Sequence, residues 1–89
     1  MPEIARFFGI IIYIYYKDTE QHHMAHIHAV YGEYEGVYSL EGQKIVGDLP
    51  IKQEEIVRSF IQVFQPELQE AWNKAIQGQK PEKIKGVHL

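Results

Sequence analysis

The sequence contains no cysteine, which excludes disulfide frameworks, zinc-thiolate sites and thiol nucleophiles and fits a cytoplasmic location. It also lacks a membrane-spanning run. The most apolar stretch, residues 7–16, is far shorter than the ~20 residues that cross a bilayer as a helix. Glu3 precedes this stretch and no small-residue cleavage site follows it, so we expect a soluble, unprocessed protein rather than a secreted one.

Positive charge is scarce as well. Nine basic side chains stand against twelve acidic ones, and the net charge of -3 argues against general nucleic-acid binding. What the sequence does contain is a hydrophobic content of 45%, enough to build a core, with 24% charged residues to keep it in solution. At 89 residues the chain is too short for two cores, so we expect a single domain over residues 1–89.

The N-terminal half predicts an antiparallel β-meander over residues 1–47. Residues 4–16 are rich in Ile, Phe and Tyr, which favours a strand. Because both of its faces would be apolar, we expect an interior strand with a bend at Gly9. Two further strands are predicted at residues 26–31 and 34–40, with a short fourth around residues 44–46.

A two-residue hairpin turn at Gly32-Glu33 sets the register of the second and third strands. Glycine at the first central position is typical of a type II′ turn. The predicted cross-strand pairs are Tyr31 with Tyr34, Ala29 with Gly36 and Ile27 with Tyr38. We expect the face of Ile27 and Tyr38 to be buried under helices and the opposite face to point away from them.

From residue 50 to residue 78, apolar residues recur at helical spacing. They form two stripes: Ile56, Val57, Phe60, Ile61 and Phe64, followed by Leu68, Ala71, Trp72, Ala75 and Ile76. Since proline inside a helix costs about 3 kcal/mol, we expect a kink or break near Gln65, with Pro66 opening the second segment. Gly78 is predicted to end the helix, leaving residues 79–89 as a tail. The predicted fold is α+β, with the helical part packed on one face of a meander of three to four strands.

The densest chemical signal is a group of histidines. Four of the five histidines fall within seven residues: His22, His23, His26 and His28. On a strand, residues i and i+2 project from the same face roughly 7 Å apart, so His26 and His28 can share one site. Glu35 would lie diagonally across from His28. The candidate site comprises His22, His23, His26, His28, Tyr31 and Glu35.

Three interpretations of this cluster remain open. His26 and His28, with His23 or His22, could supply three imidazoles to a divalent metal such as zinc or nickel. Alternatively, one histidine could act as a general base beside a tyrosine or glutamate, because imidazole exchanges protons near neutral pH. In the third interpretation the histidines form an exposed polar strand face that binds no ion.

The order of segments along the chain resembles the bacterial domain-of-unknown-function family numbered 4160. The residues that carry the resemblance are 1–10, 21–23, 26–29, 31–34, 47–50 and 81–84, together with the helix that contains Trp72. The chain differs from the family pattern at Ala25, where members often have proline, and at residues 85–89.

This resemblance implies a small cytosolic prokaryotic protein without an established activity. Genes of the family commonly lie beside those of a second short uncharacterised family, numbered 2442, in an arrangement that looks like a toxin-antitoxin pair. The resemblance therefore implies a toxin-like protein with a small protein partner encoded nearby. The alternatives are a metal- or small-ligand-binding module that uses His26 and His28, and a structural interaction domain. A homo-oligomer is compatible with each of them.

Overall fold

The computed structural model describes residues 2–15 and 24–87, which form five strands and two helices. The strands are β1 (Glu3–Phe7), β2 (Ile10–Tyr13), β3 (His26–Tyr31), β4 (Tyr34–Ser39) and β5 (Lys44–Asp48). The helices are α1 (Ile51–Val63) and α2 (Gln65–Ile76). The strands lie in the sheet in chain order and every neighbouring pair is antiparallel, which confirms the α+β meander.

The predicted single strand over residues 4–16 is wrong, because this segment forms a hairpin of β1 and β2. The two turn residues, Phe8 and Gly9, both have positive φ, at 48° and 76°. Two successive positive φ values are typical of the tight turns that join antiparallel strands. A bulky residue such as phenylalanine seldom adopts this conformation. Of the two turn residues, only Gly9 is therefore recognisable from the sequence as a turn-forming residue.

The second hairpin has the predicted turn and register. A type II′ turn requires a positive φ at its first central residue and a negative φ at its second. Gly32 has a φ of 58°, and the φ of Glu33 is not positive. The observed pairs include Tyr31 with Tyr34, Ala29 with Gly36 and Ile27 with Tyr38. The prediction is confirmed for all three pairs.

Helix α1 covers the sheet face that carries Ile27 and Tyr38, both of which are fully buried. The Phe7 ring lies 4.8 Å from the Phe60 ring, centroid to centroid. The Tyr38 hydroxyl donates a hydrogen bond of 3.1 Å to the Glu54 carboxylate on α1. The buried face of the sheet and the first helical stripe therefore meet as the periodicity predicts.

The interruption predicted near Gln65, a kink or a break, is confirmed: Phe64 separates the two helices. This residue has φ -107° and ψ 31°, outside the helical range, and Pro66 is the second residue of α2. Proline fits there because the first turn of a helix leaves its amide groups without internal partners. Ile76, the last member of the second apolar stripe, is half exposed.

The segment after α2 returns to the sheet. Gly78 has a φ of 78° and its amide donates to the carbonyl of Ala75, as expected of a glycine that ends a helix. Farther along, the amide of Ile84 donates to the carbonyl of Ile4 at 2.8 Å, which places the tail beside β1. Within residues 2–15 and 24–87, no helix is long and apolar enough to cross a membrane.

Candidate functional site

The structure brings together three of the six candidate site residues. His26 and His28 alternate along β3 on the face opposite Tyr38, where their cross-strand partners are Ser39 and Val37. Their ring centroids lie 5.3 Å apart. Glu35 reaches this face from β4.

Two of the other candidates, His22 and His23, fall outside the described residues. The third, Tyr31, belongs to the opposite face, where it is half-buried and packs against the hydrophobic core. The aromatic carbon Cε1 of Tyr31 lies 3.3 Å from where a side chain at Gly9 would begin. Its ring therefore supports the first hairpin and does not join the histidines.

The most specific contact of the cluster joins His28 to Glu35. The Nδ1 atom of His28 lies 2.9 Å from a carboxylate oxygen of Glu35. The side chain of His28 is only 9% exposed whereas that of Glu35 is 51% exposed. A buried ring is therefore bound to an acid that reaches solvent. Since an ionised carboxylate only accepts hydrogen bonds, the neutral ring carries its proton on Nδ1 and a lone pair on Nε2.

His26 is oriented in the same way by a different acceptor. Its Nδ1 atom lies 2.7 Å from the backbone carbonyl oxygen of Met24, which also only accepts. The neutral imidazole of His26 therefore has a lone pair on Nε2 as well. Both histidines have further contacts, so these hydrogen bonds describe one side of each ring.

The expectation that this face points away from the helices is wrong for His26, and neither histidine is exposed in the way the third interpretation supposes. His26 is fully buried, His28 is 7% exposed, and the Trp72 ring of α2 lies 5.1 Å from the His26 ring. Helix α2 begins beside the end of β4, where the Gln65 side-chain amide donates to the carbonyl of Leu40. Because β4 ends where β3 begins, a large side chain two turns into α2 reaches the first histidine of β3.

Two tyrosines, Tyr13 of β2 and Tyr15 just after it, also lie beside His28, and they were missing from the predicted site. Tyr13 is the cross-strand partner of His28, and the Tyr15 ring stands edge-on to the His28 ring at 6.1 Å. Both tyrosines are half-buried. The alternation along this segment could have placed them here, because the intervening Ile12 and Ile14 are fully buried on the helix-covered face.

The described part of the chain does not by itself provide a complete metal site. Among residues 2–15 and 24–87, no three His, Asp or Glu side chains are arranged so that they could hold a metal ion. His26 and His28 supply two imidazoles, and a third ligand would have to come from outside these ranges. What the described residues do form is a buried imidazole pair with one carboxylate bound to it.

Residues 9–73 match the family described as Domain of unknown function (DUF4160), which confirms the resemblance of the sequence. The match covers more than two thirds of the chain, so the protein belongs to this family. It includes His26, His28, Glu35 and Trp72. Searches of curated proteins and of solved structures gave no match.

Proposed function

We propose that this protein is the toxin-like component of a toxin-antitoxin pair and that the pair of His28 and Glu35 carries its activity. The assignment as a toxin-like component rests on the gene arrangement that the family resemblance implies. The partner is a small protein encoded nearby, and both act in the cytoplasm of a prokaryotic cell.

The single observation that supports the second half is the 2.9 Å contact between Nδ1 of His28 and the Glu35 carboxylate. A carboxylate in this position orients the ring and stabilises the imidazolium that forms when Nε2 accepts a proton. General base catalysis by a positioned histidine typically contributes about 10² to 10⁴ in rate. Of the three interpretations of the cluster, the proton-transfer interpretation uses this contact most directly.

The test is growth of a bacterial culture after induced expression of the chain. Wild-type protein should inhibit growth, and co-expression of the neighbouring gene product should restore it. Glu35→Gln keeps the size and an acceptor oxygen of the side chain but removes its charge, so this variant should lose most of the inhibition. His28→Gln should lose it as well.

Glu33→Gln is the matched control, because Glu33 is an exposed glutamate of the adjacent turn and its substitution also removes one negative charge. This variant should inhibit growth like wild type. Circular dichroism and soluble yield must be equal for all proteins, so that growth reports activity rather than folding. Harmless wild-type protein, or equal inhibition by Glu35→Gln, would contradict the proposal.

A second candidate function is metal binding at His26 and His28. The observation that favours it is the shared orientation of the two rings, since ligating histidines usually donate their other N–H to a carboxylate or carbonyl. Here Glu35 and the Met24 carbonyl occupy those positions. His23 or His22, outside the described residues, would complete the site for zinc or nickel.

Calorimetric titration with zinc, with nickel and with phosphate separates this candidate from the first. A metal-binding module should take up metal stoichiometrically and leave growth unaffected, and His28→Gln should abolish the heat that Glu33→Gln retains. Equal, weak heats for wild type and His28→Gln would rule out the metal site. If growth is unaffected as well, a structural interaction domain becomes the better description.

A further inference from the structure

A groove of about 620 Å³ lies between the start of β1 and the tail that follows α2. Its walls include three lysines, Lys80, Lys83 and Lys85, all of which are exposed. Two glutamates, Glu3 and Glu82, line it as well. The groove thus gathers three of the nine basic side chains of a protein whose net charge is -3. It is a locally basic surface on an acidic protein.

The two glutamates of the groove are already bound to cations that do not line it. The Glu3 carboxylate accepts hydrogen bonds of 2.8 and 3.2 Å from the Arg6 guanidinium. Glu82 lies 3.9 Å from the ammonium of Lys74 on α2. The pKa of Glu3 is held below its ordinary value mainly by the hydrogen bond from Arg6, and the charge of Lys83 contributes to a smaller degree. The ammonium of Lys83 therefore lies close enough to Glu3 for its charge to act across the groove.

The groove lysines extend from a backbone that is held in place. The amide of Ile84 donates to the carbonyl of Ile4 at 2.8 Å, and the half-buried Ile84 side chain packs against the core. Pro81 is buried. Each groove lysine is the direct neighbour of Ile84 or Pro81 in the chain. Within residues 2–15 and 24–87 none of the three forms an ion pair, so their ammonium groups have no carboxylate partner in this part of the chain.

We propose that this groove binds an acidic segment of a partner protein through ion pairs with Lys80, Lys83 and Lys85. Its volume lies within the range of sites that hold ligands of drug size, so it accommodates several residues of a peptide and is much larger than a single phosphate ion. Pro2 and Pro81 also line the groove, and their rings present apolar surface to a side chain between the acids.

A nucleic acid fits the surroundings of the groove less well than a peptide. Glu67 and Glu70 of α2 line a neighbouring cavity that shares three wall residues with the groove. A phosphate backbone that continued past the groove would meet these two carboxylates, whereas a peptide carries negative charge only at its acidic residues. The proposal does not depend on the activity proposed for His28 and Glu35, because neither residue lines the groove.

The test is a nuclear magnetic resonance titration of the isotope-labelled chain with a peptide of alternating glutamate and leucine. The amide signals of Ile4 and of residues 82–85 should shift as the peptide is added, whereas those of α1 should not. Each exposed ion pair contributes up to about fivefold in affinity, so we expect a dissociation constant in the micromolar to millimolar range. Added salt should weaken the binding, because it screens exposed charges. The same peptide with glutamine in place of glutamate should leave the signals unchanged.

Variants of the groove lysines should weaken the binding in proportion to the charge removed. Lys83→Gln should raise the dissociation constant about two- to fivefold, and the triple variant with Lys80→Gln and Lys85→Gln should raise it at least about tenfold. Lys52→Gln is the matched control, because Lys52 is an exposed lysine of α1 outside the groove and its substitution removes the same charge. This variant should bind the peptide like wild type.

Three outcomes would overturn the proposal. The first is the absence of any shift at millimolar peptide. The second is equal weakening by Lys52→Gln and Lys83→Gln, which would show general charge attraction. The third is tighter binding of a thymidine oligonucleotide than of the peptide at the same amide signals, which would make the groove a nucleic-acid surface. The spectrum of each variant before titration shows whether it is folded.

Discussion

Replacement of Trp72 by alanine should remove a large share of the stability of the domain. The side chain is 7% exposed, belongs to the buried cluster between sheet and helices, and lies 5.1 Å from the fully buried His26 ring. Truncation of a buried tryptophan costs about 3 to 5 kcal/mol, because the transfer free energy is lost and a cavity remains.

The magnitude is large relative to the size of the chain. At about 0.05 to 0.15 kcal/mol per residue, 89 residues yield roughly 4 to 13 kcal/mol of unfolding free energy. A domain of this size loses about 4 to 8 °C of Tm for each kcal/mol, so Trp72→Ala should lower Tm by at least about 12 °C. Trp72→Phe keeps an aromatic ring in the site and should cost less.

The assay is thermal unfolding followed by far-ultraviolet circular dichroism, because the variants lose the tryptophan whose fluorescence would otherwise report folding. Ile76→Ala is the control, one turn farther along α2 at a half-exposed position, and should cost less than about 1 kcal/mol. If Trp72→Ala and Ile76→Ala have the same Tm, the contact between α2 and β3 does not stabilise the domain as argued.

Two further predictions concern the packing that supports the site. Burial, reinforced by the hydrogen bond to Glu54, raises the pKa of Tyr38 far above its ordinary value of 10.0. Because the unfolded chain then loses this proton at lower pH than the folded one, the unfolding free energy should fall as pH rises above about 10; urea unfolding of Tyr38→Phe should show a smaller fall than wild type. Gly47→Ala should destabilise the fold by more than about 2 kcal/mol in the same assay, because Gly47 has a φ of 77° and a side chain there would overlap the carbonyl oxygen of Glu35. Gly42→Ala, with a φ of 91° and open space around it, should cost less, and an equal loss would show that the conformation alone matters.

The second hairpin was predictable because one strong turn signal fixed everything after it. Once Gly32-Glu33 is taken as a two-residue turn, the side-chain period of two assigns every pair of β3 and β4, including the diagonal approach of Glu35 to His28. The first hairpin was not predictable in the same way. Its turn uses Phe8 at a φ of 48°, which a sequence pattern does not anticipate for a bulky aromatic residue.

The burial of His26 and His28 could not be predicted from the sequence either, for a geometric reason. Periodicity assigns residues to faces of an element, but it does not say where one element lies relative to the end of another. Trp72 was correctly placed on the buried stripe of the second helix. Its contact with His26 depends on where α2 lies after the non-helical residue Phe64, and the apolar pattern of the helix does not specify that position.

The different surroundings of the two histidines decide how the cluster must be tested. His26 is held by the Met24 carbonyl and packed against Trp72, so a substitution there disturbs the contact between helix and sheet together with any chemistry. His28 is bound to a carboxylate that reaches solvent, and Glu35→Gln alters that carboxylate without emptying a buried site. Simultaneous replacement of both histidines would therefore confuse a loss of packing with a loss of function. A loss of activity in Glu35→Gln at unchanged stability can be assigned to proton transfer or ligand binding at His28, whereas the same loss in a His26 variant cannot.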